Sequence, residues 1–303
     1  MTFLVLAVVV AGIILVWRLR HRAIWRAAND VVAARLPLGS DRIVRGAHPI
    51  HERGNREAGA ALLLHGFGDT PQSLSHLARR MVDAGWTVSV PLLPGHGRTL
   101  AAFHRSHASD WMHHARAAFQ DLRARHSTIV VCGQSMGAAL AIELAVTEKP
   151  AAIALLAPYV AMSPLGTAIA RLWPLVQALY PVLRTRDGRS IHDDAAEAQS
   201  LAYGYTTPRL LSELHSVMAR ARGHLSALRI PTLIVHSRED NRVSAEDVLR
   251  AAARITHPVK SLHWMTRCGH VLTADFCKDA VAAIVIDWFD RCTTSEHAAT
   301  QTR

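Results

Sequence analysis

The residues VVCGQSMGAALAIELA, 130 to 145, constrain the fold of this chain more than any other stretch. An apolar, β-branched run ends at Gly133, a single hydroxyl stands at Ser135, and after Gly137 an alanine-rich stretch begins with apolar residues at helical spacing. A strand that passes straight into a helix needs a turn with no room for side chains, which the two glycines meet. Residue 135 is then held in a strained conformation, its side chain lifted above the end of the strand. Such a turn belongs to sheets whose strands are joined by helices, and those sheets are largely parallel.

The rest of the chain repeats this rhythm. Short β-rich runs occur at AALLLHG (60–66), TVSVPLL (87–93), TIVVCG (128–133), AIALLAP (152–158), TLIVHS (232–237) and SLHWMT (261–266). Helical stretches such as SLSHLARRMVDAG, WMHHARAAFQDLRARH, AEDVLRAAARI and DAVAAIVIDWFDR lie between or after them. The pattern predicts an α/β core with helices on both faces, its first part at 59–158 and its second at 229–292. Between them, 159–228 shows no convincing strand but a stripe of Leu165, Ile169, Leu172, Val176, Leu179 and Leu183, punctuated by Pro174 and Pro181. This predicts a helical cap over the C-terminal edge of the sheet, where open α/β folds place their sites. Part of its apolar surface could instead dip into a bilayer. Residues 293–303 read as a disordered tail.

The N-terminus differs from everything after it. Residues 1–17, MTFLVLAVVVAGIILVW, carry no charged side chain, and RLRHRAIWR follows at once. As a helix the run is ~25 Å long, a little short of a ~30 Å hydrocarbon layer, and Trp17 with the stems of Arg18 and Arg20 can cover the gap. A cleavable signal peptide would carry its basic residues before the apolar run, not after it. A membrane anchor is therefore expected at 1–17, with a juxtamembrane connector and opening strand at 18–58. Arg18, Arg20, Arg22 and Arg26 follow the span and none precedes it, which leaves the body on the cytoplasmic face.

The formal charge of +10 raises the question of nucleic acid. The arginines are scattered, however, with no basic run and no interleaved aromatics, so no nucleic-acid partner is expected. Cys132, Cys268, Cys277 and Cys292 form no CxxC pair and no dense regular spacing, and they read as free thiols. The nineteen histidines contain no HExxH, so no metal site is expected.

GQSMG satisfies G-x-S-x-G in the strand-to-helix context of a nucleophile elbow. A serine hydroxyl is a weak nucleophile, so a base must lie within reach, itself oriented by a carboxylate. In chain order the partners are Asp240, just after the run TLIVHS, and His270, in the loop after SLHWMT. Glu239, Asp247 and Asp275 are competing carboxylates. Met136 lends its backbone N–H at the helix start, and HGFGDTP (65–71) supplies a second donor at Phe67, with Gly66 allowing close approach. His65 is expected to fix that loop, and the Phe67 ring to line the acyl side of the pocket.

These residues resemble the α/β-hydrolase superfamily and, within it, the carboxylesterase and monoacylglycerol lipase branch. The likeness covers roughly 60–290 through LLLHGFGDTP, PGHG (94–97), SHASDW (106–111), GQSMG, IPTLIVHSRED and CGHVLTAD. The resemblance implies a triad of Ser135, Asp240 and His270, oxyanion donors at Phe67 and Met136, and no metal or organic cofactor. The implied substrate is a small ester or single-chain lipid. Thioester, amide or peptide cleavage on the same triad stays open, as does a non-catalytic, membrane-tethered binding module.

Overall fold

The computed structural model describes residues 2–55, 59–185 and 190–301. Met1, 56–58, 186–189 and 302–303, which fall within the expected anchor, connector, cap and tail, lie outside the described residues.

In chain order the elements are α1 (Thr2–Arg35), β1 (Ile50–Glu52), β2 (Gly59–Leu64), α2 (Ser75–Asp83), β3 (Thr87–Val90), α3 (Leu100–Arg105), α4 (Ala108–Arg123), β4 (Thr128–Gln134), α5 (Met136–Glu148) and β5 (Ala152–Leu156). There follow α6 (Pro164–Arg171), α7 (Trp173–Leu179), β6 (Leu183–Arg184), α8 (Asp194–Gln199), β7 (Tyr205–Thr206), α9 (Pro208–His224), β8 (Thr232–Ser237), α10 (Ala245–Arg254), β9 (Lys260–Met265) and α11 (Lys278–Gln301).

One sheet runs β1-β3-β2-β4-β5-β8-β9, parallel throughout except for β1, which pairs antiparallel with β3 at the edge. This is an α/β-hydrolase fold with a mostly parallel central sheet. Side chains alternate between two cores, as a strand buried on both faces requires. On β2, Ala60, Leu62 and Leu64 face the core shared with α4, α5 and α9, whereas Ala61 and Leu63 face the one shared with α2 and α11. On β4, Ile129 and Val131 take the first side and Val130 and Cys132 the second.

Four sequence expectations need correction. The first helix does not end at residue 17 before a connector but runs on to Arg35. Residues 18–35 are rich in Ala and Arg, which favour helix. They also carry a short apolar stripe in which Ala28, Val32 and the following Leu36 are buried in the core beneath a half-buried Trp25. The last helix likewise continues to Gln301, where a disordered tail from 293 was expected, and Thr293 is still buried.

Residues 159–228 are not strandless, since β6 and β7 form a two-residue antiparallel pair. In the same stretch α9 buries Leu210, Leu214, Val217 and Ala221 in the main core and so belongs to the body of the fold, with α6 and α7 packed against it. Finally, Cys268 and Cys277 are joined in a disulfide with Cα atoms 5.9 Å apart, while Cys132 and Cys292 are free and buried. The spacing of nine positions carries no motif, and only the fold of the intervening loop brings the two sulfurs together.

Candidate active site

Ser135 sits between β4 and α5 with φ 57° and ψ −114°, a conformation costly for a residue with a Cβ. Its neighbours explain why the turn tolerates nothing larger than glycine on either side. A Cβ at Gly133 would collide with the carbonyl of Gly137, and one at Gly137 with the carbonyl of Leu64 on the adjacent strand. The strained residue is held by Ser135 N–H donating to Leu156 O at 2.8 Å and by Ser135 O accepting from Tyr159 N–H at 3.2 Å.

His270 Nε2 lies 2.7 Å from Ser135 Oγ, and His270 Nδ1 lies 2.7 Å from Asp240 Oδ2. The other carboxylate oxygen of Asp240 accepts from the backbone N–H groups of Arg242, at 2.7 Å, and Val243, at 3.0 Å. Burial pushes this carboxyl up, but the His270 hydrogen bond and charge and the two backbone donors outweigh it and hold the group below its ordinary value. With its ionised form stabilised and its side chain 1% exposed, Asp240 is an oriented charge behind the imidazole.

The competing carboxylates stand elsewhere. Glu239 accepts from Arg267 N–H, and Asp247 bonds Ser244 and Arg250 at the start of α10. Asp275 is fully buried and accepts from the N–H groups of Gly269, His192, Asp193 and Phe276, tying the His270 loop to the start of α8.

Gln134 was not singled out from the sequence. Its Nε2 donates to the carbonyl of His270 at 2.9 Å, which fixes the imidazole loop to the residue next to the serine. Only its place beside Ser135 in the motif could have drawn attention to it.

Met136 is the first residue of α5, where N–H groups have no intrahelical acceptor. On the opposite side Gly66 approaches so closely that a Cβ there would be 3.5 Å from Ser135 Cβ. Among the described residues the Phe67 N–H makes no backbone hydrogen bond. His65 shapes this loop: its Nδ1 bonds Gly66 O at 2.9 Å and its Nε2 accepts from Leu93 N–H at 3.1 Å. The tautomer is thereby assigned, with the proton on Nδ1. Burial pushes the imidazole down to about 4, so it is neutral and no proton carrier at neutral pH. The Phe67 ring packs on Phe103, with centroids 5.1 Å apart, and reaches the cavity wall.

Ser135 and His270 open into a cavity of about 770 Å³, in the size range of small-molecule sites, whose walls include Phe67, Tyr159, Tyr203 and Leu214. Val31 and Arg35 of α1 also line it. Among the described residues no group of three His, Cys, Asp or Glu side chains is placed to hold a metal ion. A hydroxyl, an imidazole and a carboxylate in series can move a proton off the oxygen and make it a nucleophile.

The chain is 28% identical over 253 residues to a thermostable monoacylglycerol lipase from Bacillus sp. (strain H-257), covering 82% of this chain and 96% of that protein. It is 23% identical over 233 residues to a carboxylesterase from Bacillus subtilis (strain 168), covering 77% and 92%. A solved structure of a metagenome-derived lipolytic enzyme, described with LipS and LipT, superposes with a TM-score of 0.74 at 30% identity over 82% of this chain and 99% of that one. Residues 55–276 match the Hydrolase_4 family, described as serine aminopeptidase S33, and this chain belongs to that α/β-hydrolase family.

Proposed function

We propose that this chain is a membrane-tethered serine hydrolase of carboxylic esters, of the carboxylesterase or monoacylglycerol lipase type. The observation that carries the reading is the pair of 2.7 Å contacts linking Ser135, His270 and Asp240 beside a cavity open to solvent. In this reading Ser135 Oγ attacks the ester carbonyl while His270 Nε2 takes its proton, and Asp240 steadies the imidazolium. The N–H groups of Phe67 and Met136 receive the oxyanion, His270 returns the proton to the leaving alcohol, and a water activated by His270 releases the acid.

The tether supports a lipid substrate. Residues 3–35 of α1 include a strongly apolar stretch, long enough to cross a membrane and unburied in the protein. Trp17 Nε1 donates to Ala178 O at 2.7 Å, so the span leaves the body beside α7. There Leu172, Leu175, Leu179 and Tyr180 are exposed, a surface suited to drawing single-chain lipids from the bilayer. The arginines after the span favour the cytoplasmic face. The Cys268–Cys277 disulfide favours an oxidising compartment, and protease protection of the body in sealed vesicles distinguishes the two.

Amide cleavage is the second reading, because the matched family is described as a serine aminopeptidase. The test labels the membrane fraction with a fluorophosphonate, compares Ser135→Ala, and measures hydrolysis of aryl esters, monoacylglycerols of rising chain length and aminoacyl anilides. Labelling and ester hydrolysis lost together in Ser135→Ala are expected. Labelling that survives in the alanine variant removes the triad assignment, and turnover of anilides alone favours the peptidase.

A further inference from the structure

The anchor helix does more than hold the enzyme at a surface. Its last turn reaches the cavity, where Arg35 Nη1 donates to the carbonyl of Ser200 at 3.3 Å and Nη2 to the carbonyl of Ala202. These carbonyls follow the end of α8 and lead directly into Tyr203, which is 2% exposed. Tyr203 is bound on three sides. Its N–H donates to Gly68 O at 3.0 Å, its ring stacks on Phe103 at 4.9 Å, and its hydroxyl lies within 3.0 Å of Gly95 O and Arg98 O. Gly68 has φ +68° and lies against both rings, since a Cβ there would touch Phe103 and Tyr203.

We infer that Arg35 is a positioning residue of the active site, holding the 200–202 carbonyls so that Tyr203 clamps Gly68 and sets the neighbouring Phe67 N–H toward Ser135. A planar guanidinium with a rigid fork of donors suits two carbonyls two residues apart, and an ammonium does not. Oxyanion stabilisation depends on donors held in advance at the right place, so a clamp on residue 68 bears on rate more than on binding. The inference rests on Phe67 N–H serving as an oxyanion donor.

The experiment uses the full-length protein in detergent micelles, with Arg35→Met, Arg35→Lys and, as a control from the exposed side of the same helix, Arg26→Met. Two quantities are read per titrated active site: the second-order rate of labelling by a fluorophosphonate, and kcat and KM on p-nitrophenyl butyrate. Arg35→Met is expected to lower the labelling rate and kcat about tenfold while KM stays within about twofold. Arg35→Lys should fall between, and Arg26→Met should match the wild type. An Arg35→Met protein with a reduced titre but wild-type rates per site would mean that Arg35 only supports folding, and the inference fails. If Arg35→Met does not fold, wild-type rates in Arg35→Lys overturn it equally. Should the wild type be labelled yet hydrolyse no ester, the ester reading fails alone, and the labelling rates still decide the role of Arg35.

Discussion

Gln134 Nε2 donates to the backbone carbonyl of His270 at 2.9 Å, so the residue before the serine holds the loop that carries the imidazole. Gln134 is 1% exposed, and replacing it by Met leaves that carbonyl without its donor in a buried place. We expect Gln134→Met to remain folded and to keep reacting with a fluorophosphonate, with kcat/KM on an aryl ester reduced about tenfold through misplacement of His270. Unchanged kcat/KM would show that the Cys268–Cys277 loop holds His270 unaided.

Two buried groups beside the serine titrate in opposite senses. His65, pushed by burial from 6.5 down to about 4, stays neutral in the folded state while the unfolded chain takes up a proton, so its contribution is lost as pH falls through that window. Asp69, pushed by burial from 3.8 up to about 6, takes up its proton earlier when folded, so stability rises as pH falls from about 6 to 3.8. Asp69→Asn removes the second effect and leaves the first. Urea unfolding at pH 7 and pH 4 should show the variant losing about 2 kcal/mol relative to the wild type over that range. A constant difference between the two proteins would mean that Asp69 titrates as an ordinary carboxylate.

The disulfide closes a short loop containing both His270 and Asp275. Protein purified without reductant and then denatured should titrate two thiols, Cys132 and Cys292, and all four cysteines should react after reduction. Cys277→Ser should cost about 2–3 kcal/mol and lower the thermal midpoint by several degrees. Four thiols before reduction would show the pair to be open in solution.

Because α1 is an unburied apolar helix at its start, the proposed tether, and a core element at its end, truncations should separate the two parts. Deleting residues 1–16 is expected to release an active protein into the soluble fraction. Deleting residues 1–36 also removes Ala28, Val32 and Leu36 from the core and should destabilise the protein by more than about 3 kcal/mol, read as a lowered thermal midpoint or insolubility. Equal midpoints for the two truncations would place the core boundary after residue 36.

The sequence by itself determined the fold, and it put forward Ser135, Asp240 and His270 as candidate site residues in that order. The strand and helix periods are local properties of consecutive residues. A turn as tight as that between Gly133 and Gly137 accepts only glycine, whichever fold surrounds it. Carboxylate and histidine then follow from chain order once the elbow is placed.

The tertiary structure alone decided what depends on distant segments meeting. Chain position already favours Asp240, but which of Glu239, Asp240 and Asp275 faces His270 is set by tertiary contacts, since sequence neighbours share no such direction. The burial of Val32 and Leu36 and the reach of Arg35 to Ala202 arise because α1 lies on the body, a contact across more than 160 positions that leaves no period to read. The Cys268–Cys277 bond and the Gln134–His270 clamp belong to the same class: each joins ordinary residues whose meaning comes from the partner that the folded chain brings to them.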